Sequence, residues 1–208
     1  MTALLELQDL SCTRGDRELF SGLGARLGAS QWLCVRGDNG AGKTSLLRMV
    51  CGLMLPARGA VLWRSEPITR LREEFSRELL YLGHAAALKN DLSAIENLQT
   101  AGALGGRVPS LDEAAAALGA AGLGAQLDLP ARVLSQGQRR RVALARLALP
   151  APAVLWVLDE PFNALDTGAC AWLTGLLNRH LKRGGVAVLT SHQSVALDPS
   201  LPPLVLAL

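Results

Sequence analysis

The stretch that decides the fold is Trp32-Leu33-Cys34-Val35-Arg36 followed by Gly37-Asp38-Asn39-Gly40-Ala41-Gly42-Lys43-Thr44-Ser45. Its first five residues read as a buried strand, and the next eight fit G-x-x-x-x-G-K-[ST]. The segment beyond reads as a helix that stops near Gly52, with Pro56 following. Strand, glycine loop and helix in this order make a phosphate-binding loop. The glycines let the backbone wrap so that successive N–H groups face phosphate oxygens, while the helix N-terminus adds the positive end of its dipole. In this motif Lys43 reaches the β- and γ-phosphates and Thr44 ligates Mg²⁺, so residues 37–45 are the expected nucleotide-binding set.

Working outward, short apolar runs alternate with helical stretches, the pattern of a parallel sheet with crossover helices. Ala153 to Leu158 reads as a second central strand and Gly185 to Thr190 as a third, with helix-like Ala171 to Lys182 between them. The second strand ends in Asp159-Glu160, and a phosphate loop needs an acidic partner for its metal. Asp159 is expected to hold Mg²⁺ through water and Glu160 to polarise the attacking water. The middle of the chain differs: Ala85 to Pro130 has few β-branched residues and reads as helices. Within it Ser110-Leu111-Asp112-Glu113 is a capping box opening an alanine-rich helix that stops near Gly122. Residues 85–134 are therefore expected to form a helical lobe inserted into an α/β core made of 1–84 and 135–208.

Composition excludes several classes. Half of the 208 residues are hydrophobic and the net charge is only +3, which rules out a disordered chain and is too small to argue for nucleic acid, so no nucleic-acid partner is expected. The longest apolar stretch, Ala148 to Leu158, is broken by Pro150 and Pro152, well short of the roughly 20 residues a spanning helix needs. Glu6 and Asp9 stand where a secretory signal would be basic and then apolar, so a cytoplasmic chain is expected. Cys12, Cys34, Cys51 and Cys170 show no CxxC or metal-ligand spacing and read as reduced thiols.

Phosphate loops serve many reactions, and a second motif chooses among them. Leu134-Ser135-Gln136-Gly137-Gln138-Arg139-Arg140-Arg141 lies between the phosphate loop and Asp159-Glu160. In that order the three resemble the LSGGQ signature and flanking motifs of ATP-binding cassette (ABC) ATPases. Ser135 and Gln138 also have capping-box spacing for a helix running to Ala148, and both readings hold together, because a helix N-terminus with serine and glycine is itself a phosphate-binding surface. The three arginines point in different directions on a helix, so they read as solvated or acid-paired and not as a nucleic-acid patch. Asn163-Ala164-Leu165-Asp166 resembles the D-loop of that family, and His192 its switch histidine. The resemblance implies a single ABC ATPase domain with a RecA-like P-loop core, an N-terminal antiparallel β part and the inserted helical lobe. It further implies a head-to-tail homodimer with ATP and Mg²⁺ between one copy's phosphate loop and the other's Ser135, Gly137 and Gln138, and catalytic roles for Glu160, His192 and His84.

Departures narrow the family. Where most ABC ATPases have glutamine, this chain has His84, and Leu82-Gly83-His84, Leu88-Lys89 and Leu92-Ser93-Ala94-Ile95-Glu96-Asn97-Leu98 resemble the cytochrome c maturation ATPase, the heme exporter ATP-binding subunit. Glu18 to Leu23 and Gly59 to Trp63 are similar to that family too. This implies an integral-membrane permease and heme-handling subunits as partners, at the cytoplasmic face of the inner membrane. An ATPase of another exporter, for a drug, lipid or peptide, and a soluble ABC protein acting on ribosomes or DNA stay as alternatives. Arg14 stands where an aromatic adenine platform is usual; arginine also stacks on purines. Gln136 replaces a signature glycine and leaves Ser135 and Gly137 in place.

Overall fold

A computed structural model describes residues 3–191 and 195–208. In chain order the strands and helices are β1 (Leu5–Arg14), β2 (Arg17–Leu27), β3 (Trp32–Arg36), α1 (Lys43–Val50), β4 (Arg58–Trp63), β5 (Glu66–Pro67), α2 (Ile68–Glu78) and β6 (Leu79–Leu82). There follow α3 (Ala94–Leu104), α4 (Leu111–Ala120), α5 (Gln136–Leu144), β7 (Leu155–Leu158), α6 (Thr167–Lys182), β8 (Val186–Thr190) and β9 (Leu204–Ala207). The chain forms two compact units. One takes the residues up to Tyr81 with Ala153–Pro161 and Leu177–Leu208; the other takes Leu82–Pro152 and Phe162–Leu176.

The first unit holds two sheets. The N-terminal sheet, in the order β2-β1-β4-β5, is antiparallel throughout. The second sheet runs β6-β7-β8-β3-β9, with β7–β8, β8–β3 and β3–β9 all parallel. Every residue of β7 and β8 is buried, as expected of central parallel strands covered on both faces, and this is why their sequences are continuous apolar runs and not alternating ones. Leu5, Leu33, Val35, Leu46, Leu47, Leu155, Val157 and Val188 belong to one core cluster, and each fully buried side chain of this kind contributes roughly 1.5–3 kcal/mol.

Register is what positions the site. Val35 pairs with Thr190 and Leu158 with Leu189, so the carboxyl ends of β7, β8 and β3 stand at one level with β8 in the middle. Ligands bind at that edge in open α/β sheets.

The second unit is helical. Its core joins Ala94 and Leu98 of α3, Ala114, Ala117 and Leu118 of α4, and Val142 of α5, with Leu123 and Leu134. The alanines let helices approach closely, and that explains the alanine-rich composition of this stretch. The expected box at Ser110 forms: Glu113 N donates to Ser110 Oγ at 3.2 Å and Ser110 N donates to Glu113 Oε2 at 2.9 Å. Ser93 and Glu96 make a second box at the start of α3. The helix after Ser135 is regular only to Leu144 and tightens into a 3₁₀ turn over Ala145–Ala148, since Pro150 bars continuation. The helix expected from Ala171 begins earlier, at Thr167, because Asp166 Oδ1 accepts Ala169 N at 2.8 Å and caps it. Among the described residues no helix is long and apolar enough to cross a membrane.

In the first unit the His180 ring stacks on Trp156 with centroids 3.8 Å apart, and its Nε2 lies 3.2 Å from Val186 O. Burial lowers the His180 pKa from its ordinary 6.5, partly opposed by the carbonyls of Val186 and Val154. The unfolded chain therefore binds this proton more readily than the folded one, so stability is fully present above about pH 6.5 and is lost as pH falls below it. The thermal midpoint of the wild type is expected to drop between about pH 6.5 and pH 5 more steeply than that of His180→Gln, and parallel profiles in a calorimetric scan would count against this account.

Candidate nucleotide-binding site

The phosphate loop leaves β3 and turns into α1 at Gly42, whose φ of 106° is a left-handed conformation open to glycine. A Cβ at Gly42 would stand 3.1 Å from the Phe20 ring and 3.3 Å from Leu19 Cβ, so β2 closes over this turn and requires glycine there. The start of α1 has no side-chain cap and no acidic residue in its first turn, whereas α3, α4 and α5 each open with a capping box. No side-chain cap therefore competes with an anion for the start of α1 and its dipole. Lys43 is buried and its Nζ donates to Gly37 O at 2.7 Å and to Asp38 O at 3.1 Å, which draws the loop around the ammonium group. Asp38, Asn39, Gly40 and Ala41 form the crest, closed by Ala41 N donating to Asp38 O at 3.2 Å.

Asp159 brings the sheet edge together. It is only 2% exposed, and a carboxylate so buried needs strong partners. Thr44 Oγ1 donates to its Oδ2 at 2.9 Å, and Thr190 Oγ1 donates to its Oδ1 at 2.8 Å. The Thr190 hydroxyl also accepts Glu160 N at 2.8 Å. Glu160 itself has φ 50°, an uncommon conformation for a residue with a side chain, and such strain of order 1–3 kcal/mol is characteristic of functional positions. The structure therefore gathers Lys43, Thr44, Asp159 and Glu160 in one unit. Thr190 was absent from the expected site; a threonine at the carboxyl end of the middle strand was the available signal. Burial raises the thiol of Cys12 in β1 above its ordinary value, partly opposed by the Ser45 side chain. Burial and then the charge of Asp159 raise the Tyr81 phenol above its ordinary value.

The signature residues lie in the second unit. Ser135 caps α5: Gln138 N donates to Ser135 Oγ at 3.2 Å, and Ser135 N donates to Gln138 Oε1 at 2.8 Å. The capping reading thus holds, and Ser135 and Gln136 remain exposed at the helix start. A Cβ on Gly137 would come 2.8 Å from Ala164 O, so the 163–166 turn packs on the first turn of α5 and requires glycine at 137. His84 is exposed just after β6. Of the three arginines of α5, Arg140 differs from the expected solvated role, being buried, whereas Arg139 and Arg141 are half-buried. Arg139, Arg140 and Arg141 each donate to backbone carbonyls of their own unit. Arg14 is exposed at the end of β1. His192 lies outside the described residues.

Residues 20–163 match the ABC transporter family. Over 207 residues the chain is 51% identical to "Cytochrome c biogenesis ATP-binding export protein CcmA" of Aromatoleum aromaticum, covering 100% of this chain and 96% of that protein. The protein of the same name from Pseudomonas aeruginosa is 47% identical, with 95% and 97% covered. Among solved structures, a putative ABC transporter ATP-binding protein from Pyrococcus furiosus superposes with a TM-score of 0.79 at 25% identity, covering 92% of each chain. An ATP-binding cassette solved as a dimer in a post-hydrolysis state with ADP and phosphate gives 0.76 at 21% identity, over 91% of this chain and 88% of that one, and it speaks to the fold alone.

Thr190→Val keeps the shape of the side chain but strands the buried Glu160 N–H and removes a partner of Asp159, so chemical denaturation should show a loss of about 1–3 kcal/mol. Thr190→Ser should restore most of it; equal losses in the two variants would show that the hydroxyl is not what matters.

Proposed function

The chain belongs to the ABC transporter ATP-binding family and, within it, to the cytochrome c biogenesis ATP-binding export proteins, and from that premise we propose that it is the ATP-hydrolysing subunit of an ABC complex that drives heme export in c-type cytochrome biogenesis. The observation that carries the ATPase reading is the hydrogen-bonded line Thr44, Asp159, Thr190 and Glu160 at the carboxyl ends of β3, β7 and β8. It sets a metal-type oxygen pair and a second carboxylate beside a phosphate loop.

Phosphate binding falls to the backbone of residues 37–44, the uncapped start of α1, and Lys43, with Ser45 beside Thr44. The hydroxyl of Thr44 and the carboxylate of Asp159, already 2.9 Å apart, are hard oxygen donors of the kind Mg²⁺ prefers. Bound there, Mg²⁺ would offset the negative charge of the β- and γ-phosphates. Glu160 orients the attacking water and accepts its proton as the γ-phosphoryl group transfers to water and ADP leaves. Its strained backbone and the Thr190 hydroxyl on its N–H hold the carboxylate's base in one position. His84 and His192 assist at the γ-phosphate, as the family resemblance implies.

Two copies pair head to tail, with each ATP between the phosphate loop of one and Ser135, Gly137 and Gln138 of the other. The exposed first turn of α5 supports this role: a hydroxyl, a glycine and a helix N-terminus together suit a phosphate. Hydrolysis lets the dimer open, and the motion passes to an integral-membrane permease and heme-handling subunits at the cytoplasmic face of the inner membrane.

Glu160→Gln retains the phosphate and metal ligands and loses only the proton acceptor. It should lower turnover about 10²-fold or more and give a dimer on size exclusion only with ATP present; unchanged turnover would overturn the role. Lys43→Ala should abolish ATP binding in a fluorescent-nucleotide titration, and a normal Kd would remove the phosphate-loop assignment. For cargo, ATPase activity of the chain reconstituted with its permease should rise with heme; stimulation by an unrelated substrate instead would sink the heme reading.

A further inference from the structure

The run Arg139-Arg140-Arg141 has no part in the reading above. On an α-helix consecutive side chains diverge by about 100°, and these three go to three different segments of the second unit. Arg139 donates to Ala131 O and to Asn90 Oδ1, each at 3.0 Å. Arg141 donates to Ala121 O and Gly122 O, each at 3.3 Å. Arg140 donates through one terminal nitrogen to Gly83 O at 2.9 Å and to His84 O at 3.2 Å.

Arg140 is the buried one, at 6% exposure. Taking a guanidinium out of water costs several kcal/mol, and here it is directed at two successive carbonyls of one short segment. Both bonds leave one terminal nitrogen of the guanidinium, so the peptide on which the His84 side chain stands is tied to α5 at a single point. Ser135 caps that same helix five residues earlier, about 7.5 Å along a stiff axis. The imidazole of His84 is exposed, while its carbonyl is gripped from within.

We propose that Arg140 is a positioning residue for ATP turnover: it ties the Gly83–His84 peptide to the helix that begins at Ser135, so that displacement of the signature turn is passed directly to His84. This rests on the assignment of His84 and Ser135 to the ATP cycle. The tie runs through main-chain carbonyls, so substituting the His84 side chain leaves it intact.

The test uses the full chain as wild type, Arg140→Lys, Arg140→Met, His84→Ala and the double variant His84→Ala with Arg140→Lys. Turnover, ATP affinity and thermal unfolding are measured for each. Arg140→Lys retains a buried charge but replaces the planar guanidinium by a shorter, tetrahedral ammonium group. It should bind ATP within about twofold of wild type, since the phosphate loop is untouched, and lower kcat roughly tenfold, as expected when a reacting group is misplaced by a fraction of an ångström. Arg140→Met should lose at least as much. Added to His84→Ala, Arg140→Lys should lower kcat no further, because the group it positions is gone. Wild-type kcat in Arg140→Lys, or losses that multiply in the double variant, would overturn the proposal, as would failure of both Arg140 variants to fold, which makes the residue purely structural. Unchanged turnover in His84→Ala would remove the His84 assignment and this inference with it, whereas a wild-type chain without ATPase activity would fell the broader reading first.

Discussion

Asp159 is a carboxylate almost wholly out of water, and the site depends on how that burial is compensated. Two hydroxyls, Thr44 from the first turn of α1 and Thr190 from the end of β8, each donate to one of its oxygens. They can do so only if β8 lies between β3 and β7 and all three strands end at one level, which is the observed order and register. The same constraint shapes the next residue, since Glu160 N donates to Thr190 and the chain must turn through a left-handed φ to do it. One buried carboxylate thereby joins the start of α1, the end of β8 and, through Thr190, the backbone of Glu160.

The helix starts divide the phosphate chemistry between two kinds of end. At α1 the cap is Gly42, with no side chain to compete for the first N–H groups, and Phe20 and Leu19 close the space a Cβ would need. At α5 the cap is Ser135, whose hydroxyl accepts Gln138 N while Gln138 reaches back to Ser135 N. The first end is open to an anion; the second is a self-satisfied turn that still exposes a hydroxyl capable of donating. Both are stable for local reasons, which is why a signature motif and a capping box coincide in one sequence.

Electrostatics in the helical unit run through main-chain oxygens more than through ion pairs. Asn97 shows the same habit without charge: its Nδ2 donates to Lys89, Leu92 and Ser93 carbonyls and its Oδ1 accepts Lys89 N, pinning the segment before α3. The arginines of α5 do this for three other segments. Such bonds resist salt better than exposed pairs like Arg132 with Asp91, where both partners are solvated. A unit whose core is largely alanine and leucine gains from them a fixed arrangement of its irregular connections.

Much was legible from residue order alone. The phosphate loop, the strand ending in Asp159-Glu160 and the boxes at Ser110 and Ser135 depend on side chains within a few positions of one another, so local spacing reveals them. The partners of Arg140 at Gly83 and His84 and the role of Thr190 were not legible, because they join positions 56 and 57 and 31 residues apart whose contact depends on helix and strand packing. The extent of α6 was missed for a smaller reason, a cap at Asp166 ahead of a stretch with few helix signals. The amino-acid sequence by itself thus determined the chemistry available: a glycine loop, a lysine, hydroxyls and two adjacent carboxylates. Only the tertiary structure decided which hydroxyl serves which carboxylate and which carbonyl each arginine holds, because burial makes every polar group find a partner and the register of strands and helices settles which partner is within reach.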